Sequence, residues 1–332
     1  MSALESNFKT AIVILNWNGW QDTIECLQSL CQLDSDHFAV IVVDNASTND
    51  SRERITAWMQ ESETFDFNGI VEQEQIEVTQ LNLSHQSCVY IQSAINGGFS
   101  YGNNLGIRLV LHQGFNYVWL LNNDTIVDAN ALNALLARIR AQQNIGMCGS
   151  ILRFYDDKET VQAVGGVSFN FLKARGTQLG QGLHFTDSKI SKLAKAEPTY
   201  IAGASLLVSS QFLQDVGLME ESYFLYFEEI DWAMRAKPRW ITAIALDSIV
   251  YHKEGASIGT DSRAERSALS QYYLHRNLIR FYALRKKWLL PIALFSSIKE
   301  ILKLIIRQDW ALAKVTVSAL VDGLLMKHGQ LL

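Results

Sequence analysis

Three continuous apolar runs, each ending at or just before an asparagine or aspartate, constrain this chain more than any other feature. They are Ala11–Asn16 (AIVILN), Ala39–Asp44 (AVIVVD) and Tyr117–Leu121 (YVWLL), the last leading into Asn122-Asn123-Asp124. A further strand is expected near Val89–Ile95. Helix-like segments follow at Gln21–Cys31, Ser51–Gln60, Tyr101–His112 and Ala129–Arg140. Strands without polar alternation are buried on both faces, which requires a mostly parallel sheet covered by helices. Right-handed β-α-β units then gather the residues at the carboxyl ends of the strands into one crevice. Asn16, Asp44, Asn96 and Asp124 all fall at or just beyond such ends.

Beyond Ser150 the pattern changes. Val161–Phe185 is glycine-rich and hairpin-like, Tyr200–Val208 reads as one buried strand, and Ile241–Val250 as another that ends at His252. Residues 61–87 look like an insertion of unassigned role, with some alternation over Ile76–Leu83. Arg263–Lys287 reads as helix, followed by an apolar helical tail. The expected organisation is one main domain over 8–262, divided near residue 150 into two halves, with a helical extension over 263–332.

Composition excludes some classes of function. A net charge of −5 offers no global footprint for nucleic acid. Cys26, Cys31, Cys88 and Cys148 form no C-x-x-C pair and suit a reducing compartment. The opening MSALESNFKT lacks a basic-then-apolar leader, and no apolar run reaches the roughly 18 residues of a membrane span. A cytoplasmic location is expected.

Several motifs carry chemistry at these loops. Asp44, ending the second run before Asn45-Ala46-Ser47-Thr48, can accept the N3–H of a uracil or thymine; the same stretch also makes an ordinary turn capped by Asp50 or Ser51. Asn96-Gly97-Gly98-Phe99, with Gly102-Asn103-Asn104, puts permissive backbone and helix amides where a phosphate can approach, or forms a plain glycine turn. Asn122-Asn123-Asp124 can present two oxygen ligands to Mg²⁺ or Mn²⁺, or close an Asx turn. Glu228, Glu229 and Asp231, set among Phe224, Tyr226, Phe227 and Trp232, can yield a carboxylate of raised pKa for general-base work. His252, just before Gly255-Ala256-Ser257, is a structural histidine or a partner for a metal at Asp124. The first turn, Asn16-Trp17-Asn18-Gly19, lacks the G-x-G-x-x-G of dinucleotide-binding dehydrogenases.

Seven of these pieces in order resemble the inverting family 2 glycosyltransferases of GT-A fold, in particular the bacterial rhamnosyltransferase-like branch. They are Ile12–Gly19, Val42–Asp50, Asn96–Gly106, Leu120–Thr125, Gly203–Leu207, Phe224–Asp231 and His252–Ser257, so the likeness covers about residues 10–285. The resemblance implies that Asn16, Asn18, Asp44, Asn45, Ser47, Asn96, Gly97, Gly98, Phe99, Asn103, Asn122 and Asn123 line the nucleotide-sugar site. It also implies Asp44 at the nucleobase, Asn122 and Asp124 as the D-x-D-type metal site, and His252 as a further metal or diphosphate contact. The family's base is expected at Glu229, where an aspartate is usual; the extra methylene keeps Glu228 and Asp231 open. L-rhamnose from dTDP-rhamnose is the expected donor, with galactofuranose, glucose or N-acetylglucosamine as alternatives. The expected acceptor is a cell-envelope glycan or a lipid-linked saccharide. A non-catalytic sugar-nucleotide or glycan-binding subunit is the competing reading, disfavoured by the retention of Asp124, Glu229 and His252.

The tail adds two further expectations. Arg285-Lys286-Lys287-Trp288 precedes Leu289–Ile306, an apolar stretch broken by Pro291, Lys299, Glu300 and Lys303. Such a helix either lies on the inner face of the cytoplasmic membrane or packs on the domain or on another copy in a homo-oligomer. Arg276 and Arg280, one turn apart, meet phosphate or are surface charges.

Overall fold

The computed structural model describes residues 9–35, 37–77, 81, 83–253 and 267–327; Gly255-Ala256-Ser257 and part of the Ile76–Leu83 alternation lie outside them. The apolar runs form β1 (Thr10–Asn16), β2 (Phe38–Asp44), β4 (Ser87–Gln92) and β5 (Tyr117–Asn122), paired in parallel. Alternate residues serve opposite faces. Ile12, Ile14, Val40, Val42 and Trp119 pack beneath α1 (Trp20–Leu30) and α4 (Ala131–Arg140). Val13, Ile41, Val43 and Leu120 meet α3 (Gly98–His112) and the aromatics of the second half. The helix α2 (Ser51–Glu61) flanks the same sheet edge.

Register fixes the crevice. Asn16 lies opposite Asp44, Asp44 opposite Gln92, and Leu15 opposite Asn122, so four polar residues end side by side. From β1 the chain runs outward to β2 and β4 on one side, whereas β5 adds on the other. The loops after β1 and β5 therefore flank a topological switch point, where ligands of open α/β sheets bind.

The insertion contains an edge strand, β3 (Asp66–Glu72), parallel to β4. Its Gln73 side chain accepts from the Tyr101 hydroxyl at 2.8 Å and from the Ala94 amide at 3.2 Å, bracing the loop before α3. After a short β6 (Thr125–Val127), the strand β7 (Ile145–Phe154) extends the sheet with a hairpin β8 (Val161–Val164). The segments β9 (Gly166–Asn170), β10 (Arg175–Gln178) and β11 (Tyr200–Ile201) make a small second sheet, with α5 (Lys189–Leu193) before the last. The stretch expected as one strand over Tyr200–Val208 is two: a turn separates β11 from β12 (Ser205–Ser209), which wedges antiparallel between β5 and β7. The remaining elements are α6 (Ser210–Val216), α7 (Glu228–Ala236), β13 (Ile241–His252), α8 (Ala268–Arg285), α9 (Leu290–Ile306) and α10 (Trp310–Leu324). The result is a GT-A-type sheet flanked by helices, with a helical C-terminal extension. Among the described residues no helix is long and apolar enough to cross a membrane.

Candidate active site

The first wall of the crevice is a polar lattice. Asp44 is 1% exposed, and its carboxylate accepts from the Ser47 amide (2.7 Å), the Ser47 hydroxyl (2.7 Å), the Asn16 amide (2.7 Å) and the Gln92 amide (3.2 Å). Asn18 receives the Thr48 amide at 2.8 Å, and buried Asn45 donates to Asn96 Oδ1 at 2.9 Å and to the Gly98 carbonyl at 3.1 Å. These bonds lock the loops at Ser47 and Asn96 together. Asp44 thus differs from the open acceptor expected at a nucleobase. A base N3–H reaches it only in exchange for Gln92, the longest of its four bonds.

Two other expected donor contacts turn inward. Asn103 is buried and donates to the Phe99 carbonyl at 2.9 Å, closing the first turn of α3. Asn123 is buried too, reaching Thr23 Oγ1 at 3.1 Å and the Gly19 carbonyl at 3.3 Å, so it pins the β5 loop to the β1 loop. Asn122, at the end of β5, is half-exposed.

Asp124, 4% exposed, faces His252 across 3.2 Å from Oδ1 to Nε2. Burial opposes its ionisation, but the His252 ring and its contact outweigh this and hold the carboxyl below the usual range. The contact lacks hydrogen-bond geometry, and Asp124 Oδ1 stays a buried oxygen without a hydrogen bond among the described residues. Two ligands at right angles on an octahedral ion, with bonds of about 2.1 Å, stand about 3 Å apart. The pair therefore fits a divalent cation. On the far side of the ring, His252 Nδ1 lies 3.0 Å from Gln162 Oε1, a contact that orients the imidazole with Nε2 towards Asp124. Gln162 had no sequence signal; β8 alone brings it there. No third His, Cys, Asp or Glu joins the pair among the described residues, which leaves coordination positions for phosphate oxygens and water.

The three carboxylates near α7 separate by environment. Asp231 is fully buried and saturated, accepting from Arg285 Nε (2.6 Å), Arg235 Nε (2.9 Å) and the Tyr223 hydroxyl (3.1 Å). It is a structural anchor, not a candidate base. Glu228 is 2% exposed, and its Oε2 makes no hydrogen bond among the described residues. Burial and the neighbouring Glu229 push its pKa well up. Glu229 is half-buried at the crevice, and burial pushes it up to about 7 even though backbone amides favour its charged form. Desolvation wins here over the helix N-terminus, whose dipole acts the other way. Glu229 lies against Gly203, where a Cβ would stand 2.4 Å from Oε1. The next residue, Ala204, accepts the Asn122 amide at 3.1 Å. This short chain of contacts links Glu229 to Asn122 at the end of β5.

The turn that carries Glu229 is strained and externally held. Phe224, Tyr226 and Phe227 have φ of 66°, 67° and 78°, a conformation that costs about 1–3 kcal/mol per non-glycine residue. Gly98, at φ +87°, lets α3 approach: a Cβ there would stand 2.1 Å from the Phe224 carbonyl oxygen, and the Phe99 amide donates to that oxygen at 2.7 Å. From the other side, the Asn277 amide reaches the carbonyls of Tyr223 (2.8 Å), Leu225 (2.6 Å) and Tyr226 (3.0 Å). Arg276 donates to the Ser222 and Tyr223 carbonyls at 3.0 and 2.6 Å, and Arg280 to Ser222 Oγ at 2.9 Å. Both arginines are buried, which corrects the surface or phosphate-binding expectation. The extension is a clamp on the Phe224–Phe227 turn. Asn277→Ala is expected to lower kcat by up to about 10²-fold through misplacement of Glu229, with donor binding retained. Steady-state kinetics beside donor titration checks this; equal loss of both would make Asn277 a general stability residue.

The family model of glycosyl transferase family 2 matches residues 11–191, more than half of the chain. The chain belongs to glycosyl transferase family 2. Among family 2 and related proteins, the low-salt glycan biosynthesis hexosyltransferase Agl10 of Haloferax volcanii is 24% identical over 229 residues, which is 68% of this chain; the chain spans 61% of that relative's length. The mannosyltransferase PcManGT of Pyrobaculum calidifontis, solved with GDP-Man and Mn²⁺, superposes with a TM-score of 0.57 at 11% identity, over 96% of this chain and 88% of that one. GalNAc-T7, solved with UDP, GalNAc and Mn²⁺, gives 0.57 at 12% identity, over 83% and 48% of the two chains. At such identities these likenesses show a shared fold.

Proposed function

We propose that the protein transfers a hexosyl unit, L-rhamnose from dTDP-rhamnose foremost, from a nucleotide-diphospho-sugar to a saccharide or lipid-linked saccharide of a cell envelope, with inversion. The observations that support this reading are a carboxylate of pKa about 7, Glu229, linked through Gly203 and Ala204 to the end of β5, and the Asp124–His252 pair just beyond that strand end. Family membership and the hexosyltransferase relative support the reaction class; the rhamnosyl donor rests on the motif resemblance.

In this reading residues 8–150 hold the donor and 151–262 the acceptor, and the extension 263–332 completes the site through Asn277. The nucleotide lies along the edge braced by Asn16, Asn18, Asn45 and Ser47, with its base exchanging for Gln92 at Asp44. The diphosphate approaches Asn96, Gly97 and Asn122. Asp124 and His252, with Asn122 beside them, would hold a divalent ion, which would supply positive charge for the diphosphate leaving group; both solved fold relatives carry Mn²⁺. Glu229 takes the proton of the acceptor hydroxyl while that oxygen bonds to the anomeric carbon. The anomeric C–O bond breaks on the opposite face, and its electron pair leaves with the nucleoside diphosphate. The anomeric centre inverts through a transition state of oxocarbenium character. Burial and the adjacent Glu229 disfavour the charged form of Glu228, which takes no part in the step.

The test is a thermal-shift and donor-hydrolysis screen with dTDP-rhamnose, UDP-galactofuranose, UDP-glucose, UDP-N-acetylglucosamine and GDP-mannose, with and without Mn²⁺ or Mg²⁺. The expected result is a metal-dependent shift with one donor, dTDP-rhamnose first. Donor binding without hydrolysis or transfer to any saccharide acceptor would favour a binding subunit instead.

A further inference from the structure

The helices α9 and α10 are mounted rigidly and leave one side bare. Their small residues face inward: Ala293 and Ser297 on α9, and Ala313, Thr316, Ala319 and Gly323 on α10, are buried. At Gly323 a Cβ would stand 2.7 Å from the Arg276 carbonyl oxygen, so α10 lies directly on α8. The opposite side of each helix carries large apolar residues at three-, four- and seven-residue spacing, which places them on one stripe. On α9 these are Phe295, Ile298, Leu302 and Ile305; on α10 they are Trp310, Val317, Val321 and Leu324, all exposed. Trp288, at the entry to α9, is 95% exposed, and Ile306, at its end, is 81% exposed. Isolated exposed apolar side chains are ordinary, but two adjoining stripes of them are an interaction surface.

Charge decides the occupant. Residues 286–327 carry seven basic and three acidic side chains, a net +4 in a chain whose total is −5. A second copy of this chain packed face to face would oppose +4 to +4. An anionic bilayer matches both properties, since apolar stripes enter the acyl boundary, lysines and arginine meet headgroups, and tryptophans sit at the interface. We propose that α9 and α10 form a docking surface for an anionic lipid bilayer. Because α8 carries this hairpin on one side and clamps the Phe224–Phe227 turn on the other, docking holds the crevice at a fixed height above the lipid. The proposal stands apart from the choice of sugar and acceptor, and its test does not read activity.

The experiment is co-sedimentation of the whole protein with vesicles of phosphatidylglycerol and phosphatidylcholine, against phosphatidylcholine alone, at low and high salt. Binding is expected on the mixed vesicles, about tenfold or more weaker on the neutral ones, and reduced by salt. The double variant Phe295→Glu, Ile306→Glu, altering exposed side chains only, is expected to lose binding by about tenfold or more while its melting temperature stays unchanged. No binding by the wild type, or undiminished binding by this variant, overturns the proposal. A dimer in light scattering that the same variant abolishes, without vesicle binding, assigns the face to a second copy and overturns it too.

Discussion

Replacing Glu229 with glutamine is expected to leave metal-dependent donor binding intact and to lower turnover about 10²–10⁴-fold, the usual worth of a general base. Glutamine keeps the volume and the contact with Gly203 but cannot take a proton from the acceptor. The pH profile supplies an independent check. Burial pushes the Glu229 pKa up to about 7, and a base acts only when deprotonated. Turnover in the wild type should therefore rise as pH passes upward through about 7 and fall away below it, whereas the residual rate of Glu229→Gln should lack that step. Glu229→Asp, which draws the carboxylate back by one bond, should recover part of the rate. A glutamine variant with near-normal turnover would move the role to another group. Saturated Asp231 and buried Glu228 are poor successors, so the mechanism itself would need revision.

Loss of the Asp124 carboxylate is the second large effect. Asp124→Ala is expected to abolish the Mn²⁺-dependent part of donor binding and to cut turnover by about 10²-fold or more, since the leaving diphosphate loses its positive partner. Titrating Mn²⁺ by electron paramagnetic resonance reads the site without any reaction. There the variant should bind Mn²⁺ in the presence of nucleoside diphosphate far more weakly than the wild type. Gln162→Leu, which leaves the metal-facing side chains in place but frees the orientation of the His252 ring, should weaken Mn²⁺ binding by about 10–100-fold. Unchanged Mn²⁺ affinity in Asp124→Ala would show that the 3.2 Å pair is an internal ion pair only.

The clamp ties these sites to the extension. Arg285 holds Asp231 at the start of α7, and Asn277 holds the carbonyls just before it, so α8 fixes the Phe224–Phe227 turn from two points. Strain in that turn is retained because α8 engages the Leu225 and Tyr226 carbonyls and the Phe224 ring, stacked 4.8 Å from Tyr273, while α3 holds the Phe224 carbonyl.

The sequence by itself determined β1, β2 and β5, because a run apolar at every position can be stable only as a strand covered on both faces. It also placed Asn16, Asp44 and Asn122 at the crevice, since the end of each apolar run marks the end of its strand. Other elements left weaker traces. The edge strand β3 is half open to solvent, and β7 is interrupted by Gly146 and Gly149, so neither shows the pattern of a buried run. Only the tertiary structure decided the site's chemistry. In the sequence, Glu228, Glu229 and Asp231 are three equivalent acids; in the fold Arg285 and Arg235 saturate Asp231, burial and Glu229 push Glu228 well up, and burial pushes Glu229 up to about 7. Asp124 meets His252 because β6 pairs with β13, and Gln162 meets that histidine because β8 folds back on β7. Arg276 and Arg280 look like surface charge until α10 covers them. Local periodicity records which side of an element faces water, but the state of an ionisable group depends on what packs against it from distant parts of the chain, and only the folded molecule supplies those neighbours.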